Sequence, residues 1–143
     1  STSRGLGDVY KRQSLALAQK YQKAIKPKEC YDNIVRLLLD TDIMALYSEL
    51  RVAYGGVESI SGLFIRHAFF LDMDSGKVVD PTLSKTRPGE ERRYLIAIDF
   101  PFDEFLKSIE KFRSADPEIN LDVRKEMEHL LSWCYQHGMA LVG

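Results

Sequence analysis

Cysteine is scarce in this chain, with two among 143 residues. Cys30 and Cys134 cannot build a disulfide framework, which excludes the small secreted scaffolds held by such bridges and fits a reducing, cytoplasmic setting. Long apolar runs are missing as well. Nothing approaches the ~20 residues of a membrane-spanning helix, and no basic-then-apolar leader opens the chain. Charge of one sign is not in excess, because 20 Lys and Arg stand against 21 Asp and Glu, a net of -1. That balance removes any global attraction to nucleic acid or anionic lipid. Tryptophan occurs once. Tyr54, Tyr94 and Trp133 do not form the aromatic series on which single-stranded nucleic acid stacks. Neither nucleic acid nor membrane is therefore expected as a partner. Internal repeats and low-complexity tracts are also missing. What remains, 45% hydrophobic and 29% charged residues, is the composition of an ordinary globular domain, and the length suits one.

Residues 3–13 (SRGLGDVYKRQ) have no apolar periodicity and resemble the in-frame translation of a transposon-based sequencing adapter. Residues 1–13 are therefore set apart as an artefact expected to be disordered, and 14–143 are read as a single domain. Gly5 and Gly7 lack the preceding strand that a phosphate-binding loop requires.

From Ser14 to Ile25 the residues are good helix formers, with Leu17, Tyr21 and Ala24 at helical spacing, and Pro27 ends the run. A second helix is predicted from Glu29 to about Asp40, with Ile34, Leu37 and Leu38 as its buried stripe. The segment from Asp42 to Leu50 leans towards helix. β-formers follow from Arg51 to Ser59, and the stretch from Leu63 to Met73 is a strong strand. Asp74-Ser75-Gly76 signals a hairpin turn, and Lys77 to Asp80 is the return strand, stopped by Pro81. Residues 81–92 read as a polar loop. A strand over 93–99 comes next, then a helix capped by Asp103 over 104–112. A last helix over 121–137 ends at Gly138. This order predicts an α+β fold, with an antiparallel sheet of three to four strands packed against an N-terminal Cys-bearing helix and covered further by C-terminal helices.

Cys30, His67 and Asp80 stand out chemically. A thiol in the first turn of a helix meets the positive end of the helix dipole and free backbone N–H groups, and Lys28 adds a nearby charge; these favour the nucleophilic thiolate. His67 shares a strand face with Leu63, Ile65, Phe69 and Leu71, so its imidazole is expected on a packed side, beneath a helix. The hairpin about Asp74–Gly76 sets Asp80 opposite His67, give or take two residues. Nucleophile, base and orienting acid are then all present. Each also has a plainer reading: a small buried thiol, a satisfied core imidazole and an Asp-Pro turn.

Cys30-Tyr31-Asp32-Asn33, His67-Ala68-Phe69 and Gly76-Lys77-Val78-Val79-Asp80-Pro81-Thr82 resemble motifs of a group of small phage and bacterial proteins: C-[FY]-x-N, HAW and G-x-V-x-DPT. That group is similar to the transglutaminase-like, papain-like cysteine superfamily. The resemblance spans about residues 28–100. It implies a transglutaminase-like core with Cys30 as nucleophile, His67 as base and Asp80 as orienting acid. It further implies a peptide or amide substrate in contact with Tyr31, Tyr54 and Phe69, and neither cofactor nor metal. Tyr54-Gly55-Gly56 falls where those proteins carry an aromatic–glycine strand. Phe69 replaces the usual Trp, which alters a substrate wall. Gln22 is the candidate oxyanion donor, although papain-like enzymes place their Gln nearer the nucleophile; backbone N–H groups at the helix start are the alternative.

The activity implied is cysteine-dependent acyl transfer, of protease, amidase or transglutaminase type. A non-catalytic interaction module on the same fold, phage-encoded and binding a host protein, is the competing expectation. His129, Cys134 and His137 share one predicted helix, but a single helix supplies two or three of the four ligands zinc wants. Lys85, Arg87, Arg92 and Arg93 are read as a solvated loop interrupted by Glu90 and Glu91.

Overall fold

The computed structural model describes residues 6–7, 19–86 and 92–143. Its elements are β1 (Leu6–Gly7), α1 (Cys30–Asp40), β2 (Leu50–Glu58), β3 (Phe64–Asp72), β4 (Lys77–Val79), α2 (Pro81–Thr86), β5 (Tyr94–Pro101), α3 (Phe102–Phe112), α4 (Leu121–Gln136) and β6 (Leu141–Val142). The fold is α+β. The sheet runs β1-β5-β2-β3-β4 with antiparallel neighbours, and β6 adds a two-residue parallel pairing to the start of β3.

The local reasons are readable in the residues. Alternating branched and aromatic side chains draw β2 and β3 into a nine-residue antiparallel pair. Gly76, at φ 70, closes the turn from β3 to β4. Asn120 caps α4 by accepting from the N–H groups of Asp122 and Val123. Gly138, at φ 71, follows its end.

Helices α1, α3 and α4 pack on one side of the sheet. Ile34, Leu37 and Leu38 of α1, Phe105 of α3, and Val123, Met127, Leu130 and Cys134 of α4 join Val52, Tyr54, Phe64, Ala68 and Phe70 in the main core. The opposite face carries a smaller cluster of Ala53, Val57, Phe69, Val78, Tyr94 and Ile96, against which Leu83 of α2 packs. The two clusters alternate along β3, as side chains of a strand must.

Several elements differ from expectation. The segment from Asp42 to Leu50 holds one 3-10 turn, Ile43–Ala45, before β2 begins. The predicted loop after Asp80 opens as the helix α2, because Pro81 at its first position has its φ preset for a helix and gives up an N–H that would be unpaired there anyway. Asp103 lies within the first turn of α3, whose N-cap is Pro101. Leu6–Gly7 pair with Tyr94 and Leu95 of β5, while the other residues of 1–13 and most of the helix predicted from Ser14 lie outside the described residues. Tyr21 to Ala24 form a turn. With β1 and β6 the sheet has more strands than the three or four expected. Both added strands are only two residues long, too short for a periodic pattern to reveal.

Candidate active site

His67 and Asp80 meet as the hairpin requires. Phe70 pairs with Val79 and Leu71 with Val78. One step further along that register sets Asp80 level with Phe69, two residues from His67 on the same face. His67 Nε2 lies 2.9 Å from Asp80 Oδ2, and both side chains are buried. The Cys30 thiol shares a cleft with the ring and lies near enough to help raise its pKa. Since Asp80 occupies Nε2, the nitrogen left for the sulfur is Nδ1.

The side from which the thiol arrives is not the expected one. His67 has the parity of Phe69, so its imidazole stands on the sheet face opposite α1. The ring lies against Phe69, with centroids 6.0 Å apart. The helix on that side is the short α2. Alternation along β3 tells which residues share a face, but not which face a helix will cover. Cys30 therefore reaches the imidazole only from the first turn of α1, past the stretch of β3 between its pairings with β6 and β4.

Asp80 does two jobs. Its Oδ1 accepts from the N–H of Leu83 at 3.2 Å, three residues on, which is an N-cap contact to α2. Its Oδ2 accepts from the Tyr94 hydroxyl at 2.6 Å as well as facing His67. Burial pushes the carboxyl up, but the His67 charge and the bonds from His67, Tyr94 and Leu83 outweigh it and hold Asp80 below the usual carboxylate range. For His67 burial acts downwards, while the Asp80 charge, its hydrogen bond and the Cys30 contact raise the imidazole to about 10. Burial and then Asp80 keep the Tyr94 hydroxyl protonated far above its ordinary range, against the contrary pull of the Arg92 guanidinium that hydrogen-bonds it.

A cleft of about 460 Å³ opens beside the thiol. Cys30, His67 and Thr82 line it with the aliphatic groups of Pro27, Val57, Ile65 and Leu83, and Lys28, Glu58 and Arg66 complete the lining. Cys30, His67 and Asp80 thus converge, and the first two face the cleft. The proposed substrate contacts do not line it. Phe69 is buried between His67 and Tyr94, its ring centroid 4.8 Å from that of Tyr94. Tyr54 is buried in the main core with its hydroxyl donating to the carbonyl of Ala115, and Tyr31 packs against it. Burial raises both phenols far above their ordinary range. These aromatics belong to the packing because their strand and helix positions point them at the core. Gln22 is exposed in the Tyr21–Ala24 turn and does not line the cleft.

Four other residues belong to the site that were not among the candidate site residues read from the sequence, although Asn33 and Thr82 stand in the quoted motifs. Tyr94 supports Asp80 and Arg92 meets the Tyr94 hydroxyl, and Asn33 and Thr82 tie α1 to α2. Arg92 is not a solvated loop residue but 4% exposed. Asn33 carried a detectable signal: it falls inside the apolar stripe of Ile34 and Leu37, where a polar side chain must find buried partners. Tyr94 carried none. A bulge between Tyr54 and Gly55 shifts the β2–β5 register, pairing Tyr54 with Ile98 but Gly55 with Ile96. Without it Tyr94 would share Ile98's side, towards the main core, instead of facing Asp80.

Among the described residues no three His, Cys, Asp or Glu side chains gather as a metal site. Cys134 is buried in the main core, and His137 stacks on Trp133 and bonds the Trp133 carbonyl at 2.7 Å. No described helix is long and apolar enough to cross a membrane. No protein-family model, curated protein or solved structure gives a match to the chain.

Proposed function

We propose that this chain is a cysteine-dependent acyl-transfer enzyme of the transglutaminase-like, papain-like kind, with Cys30, His67 and Asp80 as its triad and a peptide or amide as its substrate. The observation that carries this reading is the convergence of the half-buried Cys30 thiol, the buried His67 ring and the Asp80 carboxylate, 2.9 Å from Nε2, with thiol and ring at the wall of one cleft. At neutral pH the His67 imidazole is protonated, so the proton drawn from the thiol is already held at Nδ1 when the sulfur attacks. The Cys30 sulfur attacks the substrate carbonyl carbon, forming an S–C bond and a tetrahedral oxyanion. The carbon–nitrogen bond then breaks, and the amine leaves with the proton held on His67. Water or a second amine attacks the resulting thioester and returns Cys30 to its thiol. Asp80 fixes the ring and balances its charge throughout. The backbone N–H groups of the first turn of α1, including that of Cys30, are the oxyanion donors in this scheme, since Gln22 lies away from the cleft.

Acylation is tested with an activated ester, p-nitrophenyl acetate, followed by intact-mass measurement. The expected result is one acetyl adduct on Cys30 and a burst of nitrophenol, both lost in Cys30→Ser and His67→Ala. An adduct that forms equally in His67→Ala, or none at all, overturns the assignment.

A further inference from the structure

We infer that Asn33 is a positioning residue that holds the Cys30 thiol against His67 by tying the turn before Cys30 to the segment after Asp80; this rests on the triad reading above. Asn33 lies one helical turn beyond Cys30 and is completely buried. Its amide acts in two directions. Oδ1 accepts from the N–H of Lys26 at 2.8 Å and Nδ2 donates to the carbonyl of Lys26 at 2.8 Å, so one side chain grips both backbone groups of a residue four before Cys30. The other Nδ2 proton goes to Thr82 Oγ1 at 2.9 Å, 49 residues away and two past Asp80. Arg36 Nη2 donates to Oδ1 as well. Both donors and both acceptor sites of the amide are thereby used.

The geometry explains why such a tie is needed. α1 packs on the face opposite His67, so its hydrophobic stripe does not direct the thiol at the imidazole. The approach turn contains Lys28 at φ 62, in the left-handed region that a non-glycine residue seldom adopts and that something must hold. Glu29, the residue before Cys30, makes no side-chain cap contact with α1. The grip of Asn33 on Lys26 sets the turn, and its bond to Thr82 sets the distance between that turn and the carboxylate that orients His67. Asp80 caps the start of α2 and Thr82 is its second residue, one proline apart, so a movement of Thr82 is felt at Asp80.

The test is the rate of Cys30 alkylation by iodoacetamide between pH 5 and 9 in wild type, Thr82→Val, Thr82→Ser and Asn33→Asp, with each variant's melting temperature. Thr82→Val keeps the shape and removes the hydroxyl that accepts from Asn33. We expect its alkylation at pH 6–7 to fall about 10-fold or more, with the profile moved towards that of a free thiol, because sub-ångström misplacement is enough to uncouple such a pair. Thr82→Ser keeps the hydroxyl and should restore the rate to within about twofold of wild type. Asn33→Asp should lose at least as much as Thr82→Val. A Thr82→Val protein with a lower melting temperature but an unchanged rate and pH profile would show a merely structural role and overturn the inference alone. A wild-type thiol no faster than free cysteine would overturn the triad and this inference together.

Discussion

Tyr94→Phe removes one oxygen and leaves the rest of the ring in place. That ring stays packed against Phe69, 4.8 Å between centroids, so no cavity of consequence opens. What disappears is a 2.6 Å hydrogen bond into an ionised, buried carboxylate, together with one partner of Arg92. A bond to a charged group contributes about 1.5–3 kcal/mol net, so the variant should lose about 2 kcal/mol at pH 7. For a domain of this size that is a fall in melting temperature of roughly 6–8 °C. The loss must depend on pH. Asp80 has a folded pKa below its ordinary value, so its contribution is present above that ordinary value and is lost as pH falls through the folded one. Without the Tyr94 bond the folded pKa moves up towards the ordinary value. Stability should therefore begin to fall at a higher pH in the variant, and the gap between the two proteins should close in acid. Urea unfolding at pH 7, 5, 4 and 3 measures both quantities. A gap under about 0.5 kcal/mol at pH 7, or one that is the same at every pH, refutes the role given to this hydroxyl.

Asp80→Asn keeps an N-cap side chain for α2 but removes the charge beside His67. Burial then acts on the imidazole with little to oppose it, so its pKa, raised to about 10 in the native protein, should drop below the ordinary 6.5. An NMR titration of the ring nitrogens reads this directly, and a ring still protonated at pH 8 would contradict it. Gly55→Ala should destabilise by several kcal/mol, on the order of 3, with β2–β5 pairing disturbed. A Cβ there would lie 1.8 Å from the carbonyl oxygen of Leu95, a backbone atom that no rotamer change relieves. Calorimetry showing a melting temperature within 2 °C of wild type would count against that packing, where about 3 kcal/mol should remove roughly 10 °C.

The parts of this architecture that local chemistry dictates were readable in the residues. The helix start at Cys30, the β3–β4 hairpin and its approximate register follow from turn chemistry and period-2 alternation, and they bring His67 and Asp80 together. The start of α2 was available in Asp80-Pro81, an N-cap followed by a proline at the first helical position, though the polar composition beyond it suggested a loop. What no local pattern reveals is depth. Arg92 belongs to a charged stretch, yet it is buried two residues before β5, where its guanidinium meets the Tyr94 hydroxyl. Tyr31, Tyr54 and Phe69 are apolar residues near reactive ones, and the core claims them before any substrate. The bulge that turns Tyr94 towards Asp80 is a property of two strands 40 residues apart, written in neither. The same is true of the side from which the thiol approaches, since packing of α1 and alternation of β3 are separate facts until the sheet is built.

The most direct measurement on the central claim uses the two cysteines as each other's control. The native protein is alkylated at pH 6.5 and the labelled positions are quantified by peptide mapping over time. Cys30 faces the cleft beside His67, whereas Cys134 is enclosed in the main core and burial raises its pKa. Modification of Cys30 well ahead of both Cys134 and free cysteine, with the advantage abolished by His67→Ala, is the predicted result. A Cys30 no faster than free cysteine, or equally fast without the imidazole, would contradict the account.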